Sequence, residues 1–174
     1  MAKRRVWQTI GRRIRSPLRR LPGLAALVPV AQHEVTLFDV LNKNLSPPYD
    51  LSAFMKYCSK VYVQELLEFW HAVEVLHSTP GSAVIAEVHR IYEVYVADNA
   101  PRQINVSHAE RKEVEKRLPA KDKNDVNESE CSPSSCRHIF DSCQSIVFEL
   151  LNDGIFPRYL DSIQANLATA TAAV

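Results

Sequence analysis

The sequence predicts an all-α domain, a bundle of about seven to nine helices with a basic amphipathic extension at its N-terminus. Three observations support this prediction. Apolar residues recur at steps of three or four in several segments, no segment of useful length alternates as a strand would, and prolines and glycines separate the periodic segments. The 174 residues suffice for one domain with a core and one or two extensions.

The densest apolar pattern lies in residues 62–77, which contain no proline or glycine. Leu66, Trp70 and Val73 fall at helical steps, and neighbours such as Phe69 widen the stripe. Such a wide stripe is typical of a helix that is buried on more than one side. We therefore expect this segment to be the central helix of the bundle.

Two short helices precede the central one. The first covers residues 35–41 and ends at Leu45-Ser46-Pro47-Pro48, because a proline disfavours the α region for the residue before it. Asp50 is placed to cap the second helix. The apolar face of that second helix consists of Leu51, Phe54, Met55 and Cys58.

Further helices follow the central one. The turn at 79–82 leads into an apolar helix at 84–97, and Ser107 and Glu110 then have the spacing of a capping box at the start of a charged surface helix. Pro133 stands at the expected first turn of the next helix, after the cap residue Ser132. The apolar stripe of this last core helix is Ile139, Phe140, Cys143, Val147, Leu150 and Leu151.

The end of the domain is predicted from composition. Asn152-Asp153-Gly154 is expected to stop the last core helix, and an amphipathic piece at 155–163 follows. We assign residues 35–165 to one helical domain with a flexible insertion at 119–132, which is polar and poor in apolar residues. The Ala/Thr-rich residues 166–174 are expected to be a disordered tail.

Charge separates the N-terminus from the body. Residues 1–33 carry eight of the 21 Lys and Arg residues and no acid, which leaves 13 basic against 20 acidic residues beyond them, a balance of −7. Within 1–20 the apolar residues have helical spacing and the arginines lie on the other side. We therefore expect a helix that binds an anionic membrane, and a linker at 21–34 that joins it to the domain. Its membrane contacts are predicted to be Arg4, Arg5, Trp7, Arg12, Arg13, Arg15, Arg19 and Arg20. The alternatives are a mitochondrial targeting peptide, a nucleic-acid-binding arm and a solvated tail.

The sequence lacks the motifs of a catalytic site. Four scattered glycines form no phosphate loop, and neither GxSxG nor HExxH occurs. The group with metal-ligand chemistry is Cys131, Cys136, His138 and Cys143. Its spacing departs from zinc patterns, and His77 has no carboxylate or cysteine at ligand spacing, so we expect no metal and no cofactor.

Cysteine usage and hydropathy suggest an intracellular protein. The cysteines form no CxxC pair and follow no secretory signal, so we expect reduced thiols. No apolar run approaches the roughly 18 to 20 residues that cross a bilayer.

The order of the segments is similar to that of a known family. TLFDVL, LSAFMKYC, ELLEFWHAVE, IYEVYV, INVS and IFDSCQSIVFELLNDGIFPRYLDS follow one another across residues 35–162. Together they resemble the regulator of G-protein signalling (RGS) domain. The Pro-Pro-Tyr-x-Leu opening further resembles the fungal branch of that family.

The resemblance implies an RGS-type helical bundle that binds the switch regions of an activated Gα subunit and accelerates its GTP hydrolysis. Such a domain supplies no acid or base, since the Gα residues act on water and phosphate. The chain is therefore expected to be a regulator and not an enzyme. We expect it to be cytoplasmic and peripheral at the inner face of the membrane, and to bind no nucleic acid.

The resemblance also implies a set of Gα-binding residues. Asn105 matches the contact asparagine that supports the Gα glutamine, Leu150 and Arg158 match interface positions, and Glu65 matches the acid before the family's other key asparagine. Leu66 stands at that second asparagine position.

This sequence departs from the family pattern at three places. Besides Leu66, Gly154 replaces a usual aspartate, with Asp153 one residue early, and Pro157 replaces a common basic residue. A lost side-chain amide that leaves a buried partner unsatisfied costs about 1–3 kcal/mol, roughly a tenfold to hundredfold weakening. The alternative function is therefore an RGS-like interaction or scaffold module without GTPase-accelerating activity.

We predict that a peptide of residues 1–20 sediments with liposomes that contain anionic lipid. Because each basic residue near the surface contributes about 1 kcal/mol of screened attraction, binding should weaken with added salt and without anionic lipid. Liposome pelleting measures this, and binding that is indifferent to both changes would contradict membrane recognition by charge.

Overall fold

The computed structural model describes residues 35–42, 45–119 and 132–172. The predictions for the basic helix at 1–20, the linker at 21–34 and most of the insertion at 119–132 lie outside the described residues.

The regular structure of the described ranges is helical and includes no strand, which confirms the all-α prediction. The helices are α1 (Leu37–Asn42), α2 (Leu51–Lys60), α3 (Gln64–Ser78), α4 (Gly81–Ile91), α5 (His108–Lys116), α6 (Pro133–Cys136), α7 (Asp141–Glu149) and α8 (Phe156–Ala172). A π-helical turn follows α4 at Tyr92–Val96, and another follows α7 at Leu150–Ile155. Among these described helices, none has the length and apolar character needed to cross a membrane.

The described residues divide into two compact units, one up to residue 51 and the other from residue 52 onward. In the first unit, α1 begins with a reciprocal pair of hydrogen bonds. The Asp39 N–H donates to the Thr36 hydroxyl at 3.2 Å, and the Thr36 N–H donates to the Asp39 carboxylate at 3.1 Å. This arrangement satisfies two backbone donors that the first turn of a helix leaves open.

Helix α3 is the centre of the second unit. It packs against α4 and α7, and its buried residues include Leu67, Phe69 and Val73. The Phe69 ring meets Tyr95 and Phe140 edge-on at centroid distances of 5.8 and 6.2 Å, a favourable geometry for aromatic pairs. The prediction of a central helix buried on more than one side is confirmed.

Two of the capping signals in the sequence are confirmed, while that of Asp50 stays a prediction. Ser107 and Glu110 form a complete capping box at the start of α5. The Ser132 side chain accepts a hydrogen bond from the Ser135 N–H, with Pro133 in the first turn of α6. These side chains fix where the two helices begin, because they satisfy backbone donors that have no partner within the helix.

The expected stop at Asn152-Asp153-Gly154 is wrong. These residues lie inside the π-turn, which joins α7 to α8 without a break. The Phe156 N–H donates to the carbonyl of Leu151, five residues earlier, and both side chains are buried. The wider turn keeps the chain helical while both apolar residues reach the core.

The expected disordered tail at 166–174 is also wrong over most of its length. Helix α8 continues to Ala172, although its side chains from Gln164 onward to Ala170 are exposed. Alanine has the highest helix propensity, so the Ala-rich sequence favours the helix without help from a core.

The buried cysteines divide into two kinds. Burial raises the pKa of the Cys58 thiol to about 12 and that of Cys143 to about 11, so both stay protonated and unreactive at neutral pH. Cys136 is buried and disulfide-bonded. The expectation of reduced thiols is therefore correct for Cys58 and Cys143 and wrong for Cys136.

We predict that Phe69→Ala lowers the free energy of unfolding by about 3–5 kcal/mol, since it removes a fully buried ring that packs against Tyr95 and Phe140. Urea unfolding followed by circular dichroism measures this. The matched control is Val75→Ala, an exposed position on the same helix, which should change stability by less than about 0.5 kcal/mol. Equal effects of the two substitutions would contradict the central position of α3.

Candidate partner-binding site

A cleft of about 300 Å³ lies between the start of α3 and the loop that follows the first π-turn. It is lined by Gln64, Glu65, Glu68, Pro101, Arg102 and Gln103. The lining is polar and charged, and this suits recognition of backbone and polar side chains on a partner surface better than enclosure of an apolar ligand.

The loop is held in place by hydrogen bonds to the end of the preceding helix. The N–H groups of Arg102 and Ile104 donate to the carbonyls of Val94 and Tyr95, at 3.1 and 2.9 Å. The Gln103 side chain donates to the Ala97 carbonyl at 3.2 Å. Carbonyls at a helix end lack partners within the helix, and here the loop satisfies them. The loop conformation is thereby fixed before any partner binds.

An ion pair crosses the cleft. The Arg102 guanidinium contacts the Glu68 carboxylate, which also accepts a hydrogen bond from the Gln64 side chain at 2.6 Å. Burial acts to raise the pKa of Glu68, but the hydrogen bonds from Arg102 and Gln64 outweigh it and hold that pKa below its ordinary value. Glu68 therefore stays ionised and ties α3 to the loop.

The structure brings two of the predicted Gα-binding residues to this region. Glu65 is half-buried and lines the cleft. Asn105 is exposed one residue beyond Ile104, and both of its neighbours, Ile104 and Val106, are buried. The buried neighbours anchor the backbone on each side, so the Asn105 side chain is presented from a rigid position.

Leu66 faces the core. It is 7% exposed, so it offers a partner almost no surface. At the position where the family has an asparagine, this chain therefore has an apolar side chain that contributes to packing.

The other two predicted residues lie on a different segment. Leu150 is in the second π-turn and Arg158 is in α8, and neither lines the cleft. Leu150 is 37% exposed while Leu151 is fully buried, so Leu150 is not a core residue. Arg158 is exposed.

Gly154 stands where the resemblance implies an aspartate. A Cβ atom added to Gly154 would meet nothing within 4 Å, so packing does not require a glycine at this position.

Tyr62 is a further surface residue that the sequence pattern did not single out. It is 90% exposed, and its backbone has a φ angle of 60°, in the left-handed region that non-glycine residues rarely occupy. It lies two residues before α3, on the chain segment that leads to Glu65. Residues with strained backbones cluster at active sites and ligand-binding segments, and so we include Tyr62 in the candidate site.

Comparison with known proteins supports the family that the sequence resembles. Residues 41–164 match the sequence model described as Regulator of G protein signaling domain. The chain belongs to the RGS family. The matched residues fall within the predicted domain at 35–165 and include the proposed Gα-binding positions.

Vertebrate RGS proteins are similar to this chain. Human Regulator of G-protein signaling 8 is 33% identical over 127 residues, which are 72% of this chain and 61% of the relative. Regulator of G-protein signaling 5 from Sus scrofa is 30% identical over 125 residues, 71% of this chain and 61% of the relative. Human Regulator of G-protein signaling 19 is 26% identical over 162 residues, 92% of this chain and 67% of the relative.

The aligned part of the chain thus spans about three fifths of the first of these relatives. The specific similarity to the fungal branch stays a prediction.

We predict that the Glu68 and Arg102 pair stabilises the fold above the ordinary carboxyl pKa of 4.5, because a lowered folded-state pKa favours the ionised folded form. This contribution is lost as the pH falls through the folded-state pKa. Unfolding midpoints measured between neutral and acidic pH should therefore fall less steeply in Glu68→Gln than in the wild type.

Arg102→Gln serves as the matched partner substitution. It should flatten the same pH dependence, and the double variant should add little to either single one, since all three remove one interaction. If the changes in the unfolding midpoint added in the double variant, the two side chains would act separately, and the prediction would be wrong.

Proposed function

We propose that this chain binds an activated Gα subunit and accelerates its GTP hydrolysis by stabilising the switch regions. The observation that carries the proposal is the exposed Asn105, held between two buried residues beside the cleft of an RGS domain.

The mechanism is preorganisation. The loop before Asn105 is tied by backbone hydrogen bonds to the π-turn Tyr92–Val96, and by the Arg102 ion pair to α3. An amide presented from such a loop loses little conformational freedom when it binds. Asn105 would donate to and accept from the switch segment that carries the Gα glutamine, and so hold that glutamine on the attacking water. The domain itself transfers no proton.

Glu65 and Tyr62 extend the proposed contact surface towards α2. The Glu65 carboxylate can accept hydrogen bonds from backbone N–H groups of a switch segment. The Tyr62 ring supplies apolar area with few rotatable bonds, a property of residues that dominate binding energy at interfaces. Leu150 and Arg158 would form a second contact on the π-turn and α8.

A second candidate function rests on Leu66. Its burial means that no side-chain amide is offered at that position, so the chain has one of the two family asparagines. An RGS-like module that binds Gα without accelerating hydrolysis is consistent with this loss.

We further propose that residues 1–20 place the domain at an anionic membrane surface on the cytoplasmic side. The support is the sequence pattern of arginines opposite apolar residues. Binding to a surface raises the local concentration of the domain near membrane-attached partners, an effect that needs no new contact with them.

We predict that the full chain accelerates single-turnover GTP hydrolysis by at least one Gα subunit in a representative panel, and that Asn105→Ala reduces this acceleration tenfold to hundredfold. The reason is that a buried polar group on the partner would lose its hydrogen bond, which costs about 1–3 kcal/mol of binding free energy. The matched control is Asn166→Ala on α8, another exposed asparagine, which should leave the acceleration unchanged.

The same assay separates the two candidate functions. Failure of the wild type to accelerate any Gα that it binds would favour the scaffold module. Leu66→Asn would then be expected to confer or raise activity, provided that circular dichroism shows an intact fold, since it places an amide in a core position.

A further inference from the structure

A cluster of histidines and a carboxylate lies at the end of α3 remote from the cleft. His77 is in the last turn of α3, His138 is in the turn between α6 and α7, and Asp141 is the first residue of α7. One ligand atom from each lies within 4.8 Å of the others. The sequence offers His77 no carboxylate at ligand spacing, but the fold brings it to Asp141, a residue 64 positions away.

We propose that His77, His138 and Asp141 form a binding site for Zn²⁺. Two imidazole nitrogens and one carboxylate oxygen are a donor set that this ion accepts, and three protein ligands leave one tetrahedral position for water.

Each imidazole already lies close to the Asp141 carboxylate. His77 Nε2 lies 3.0 Å from Asp141 Oδ1, and His138 Nδ1 lies 2.9 Å from Asp141 Oδ2. In a tetrahedral site with metal–ligand distances of about 2.0 Å, neighbouring ligand atoms are about 3.3 Å apart. An ion bound here would replace the ring protons, and the three ligand atoms, now within 4.8 Å of one another, would draw together towards that spacing.

The backbone holds the ligands in place without a metal. The His138 N–H donates to the Ser135 carbonyl at 3.0 Å, which closes the turn after α6. The Arg137 guanidinium donates to the Thr79 carbonyl at 2.8 and 3.3 Å, and so ties this turn to the end of α3. His138 and His77 are brought together by this contact, with ring centroids 5.3 Å apart.

A second carboxylate lies beside the other nitrogen of His77. Glu74 Oε1 is 3.7 Å from His77 Nδ1, and it accepts a hydrogen bond from the buried Gln144 side chain at 2.8 Å. Carboxylates in this position orient a metal-binding imidazole and raise its basicity. Glu74 would therefore act as a positioning residue that favours coordination through Nε2.

The site is accessible to an ion from solution. The side chains of His77, His138 and Asp141 are 18%, 39% and 49% exposed. An ion bound here would link the end of α3 to the start of α7. This proposal is independent of the proposed Gα function, because His77 lies roughly 14 to 20 Å along α3 from the helix residues that line the cleft.

The test is isothermal titration of the metal-stripped full chain with ZnCl₂. We expect the wild type to bind one Zn²⁺ ion. Its affinity should fall at least about tenfold in each of His77→Ala, His138→Ala and Asp141→Asn, because each substitution removes a ligand. The matched control is His71→Ala, an exposed histidine on the same helix, which should bind within twofold of the wild type.

A second measurement covers the case in which a variant does not fold. In the wild-type chain, the imidazole ¹⁵N resonances of His77 and His138 should shift on addition of Zn²⁺, while those of His71 stay in place. Absence of Zn²⁺ binding, unchanged affinity in all three folded variants, or no shift of the two imidazoles would overturn the proposal.

Discussion

The burial of α3 is the constraint on which the rest of the second unit depends. The buried residues in the middle of α3 include Phe69 and Val73, and the helix packs against α4 and α7. His71 and Val75 are exposed, but most of the middle of α3 is buried, and the polar groups that meet other segments lie near its two ends. At one end Glu65 and Glu68 line the cleft, and at the other His77 meets Asp141. The two sites are thus consequences of one packing arrangement.

The two π-turns set the position or exposure of other predicted binding residues. The turn at Tyr92–Val96 offers carbonyls that the loop before Asn105 satisfies, and so it sets the position of that asparagine. The turn at Leu150–Ile155 exposes Leu150 while Leu151 and Phe156 remain buried. An inserted residue in a helix changes which side chains face outward, and this is why π-turns recur at functional sites.

Much of the fold could be predicted from the sequence because local patterns determine it. The apolar stripe of α3, the Ser107 capping box and Pro133 in the first turn of α6 are signals of short range, and all three are confirmed. The family resemblance further predicted Glu65, which lines the cleft, and Asn105, which lies two residues beyond its lining residue Gln103.

The remaining features depend on contacts between distant residues or on backbone geometry. His77 and Asp141 meet only after α3 and α7 have packed, and no spacing rule covers such a separation. The positive φ of Tyr62 could not be predicted, because the apolar periodicity places this residue inside the central helix. Leu66 fits the stripe so well that its departure from the family is visible only by comparison.

We propose that the cleft and Asn105 recognise Gα in its transition-state geometry. The most direct measurement compares the affinity of the full chain for one Gα subunit bound to GDP and to GDP with aluminium fluoride, which mimics the transferring phosphoryl group. Catalysis by preorganisation requires tighter binding to the transition-state form. We predict at least a tenfold preference for the aluminium fluoride complex, corresponding to about 1.4 kcal/mol. Equal affinity for the two forms would contradict the claim.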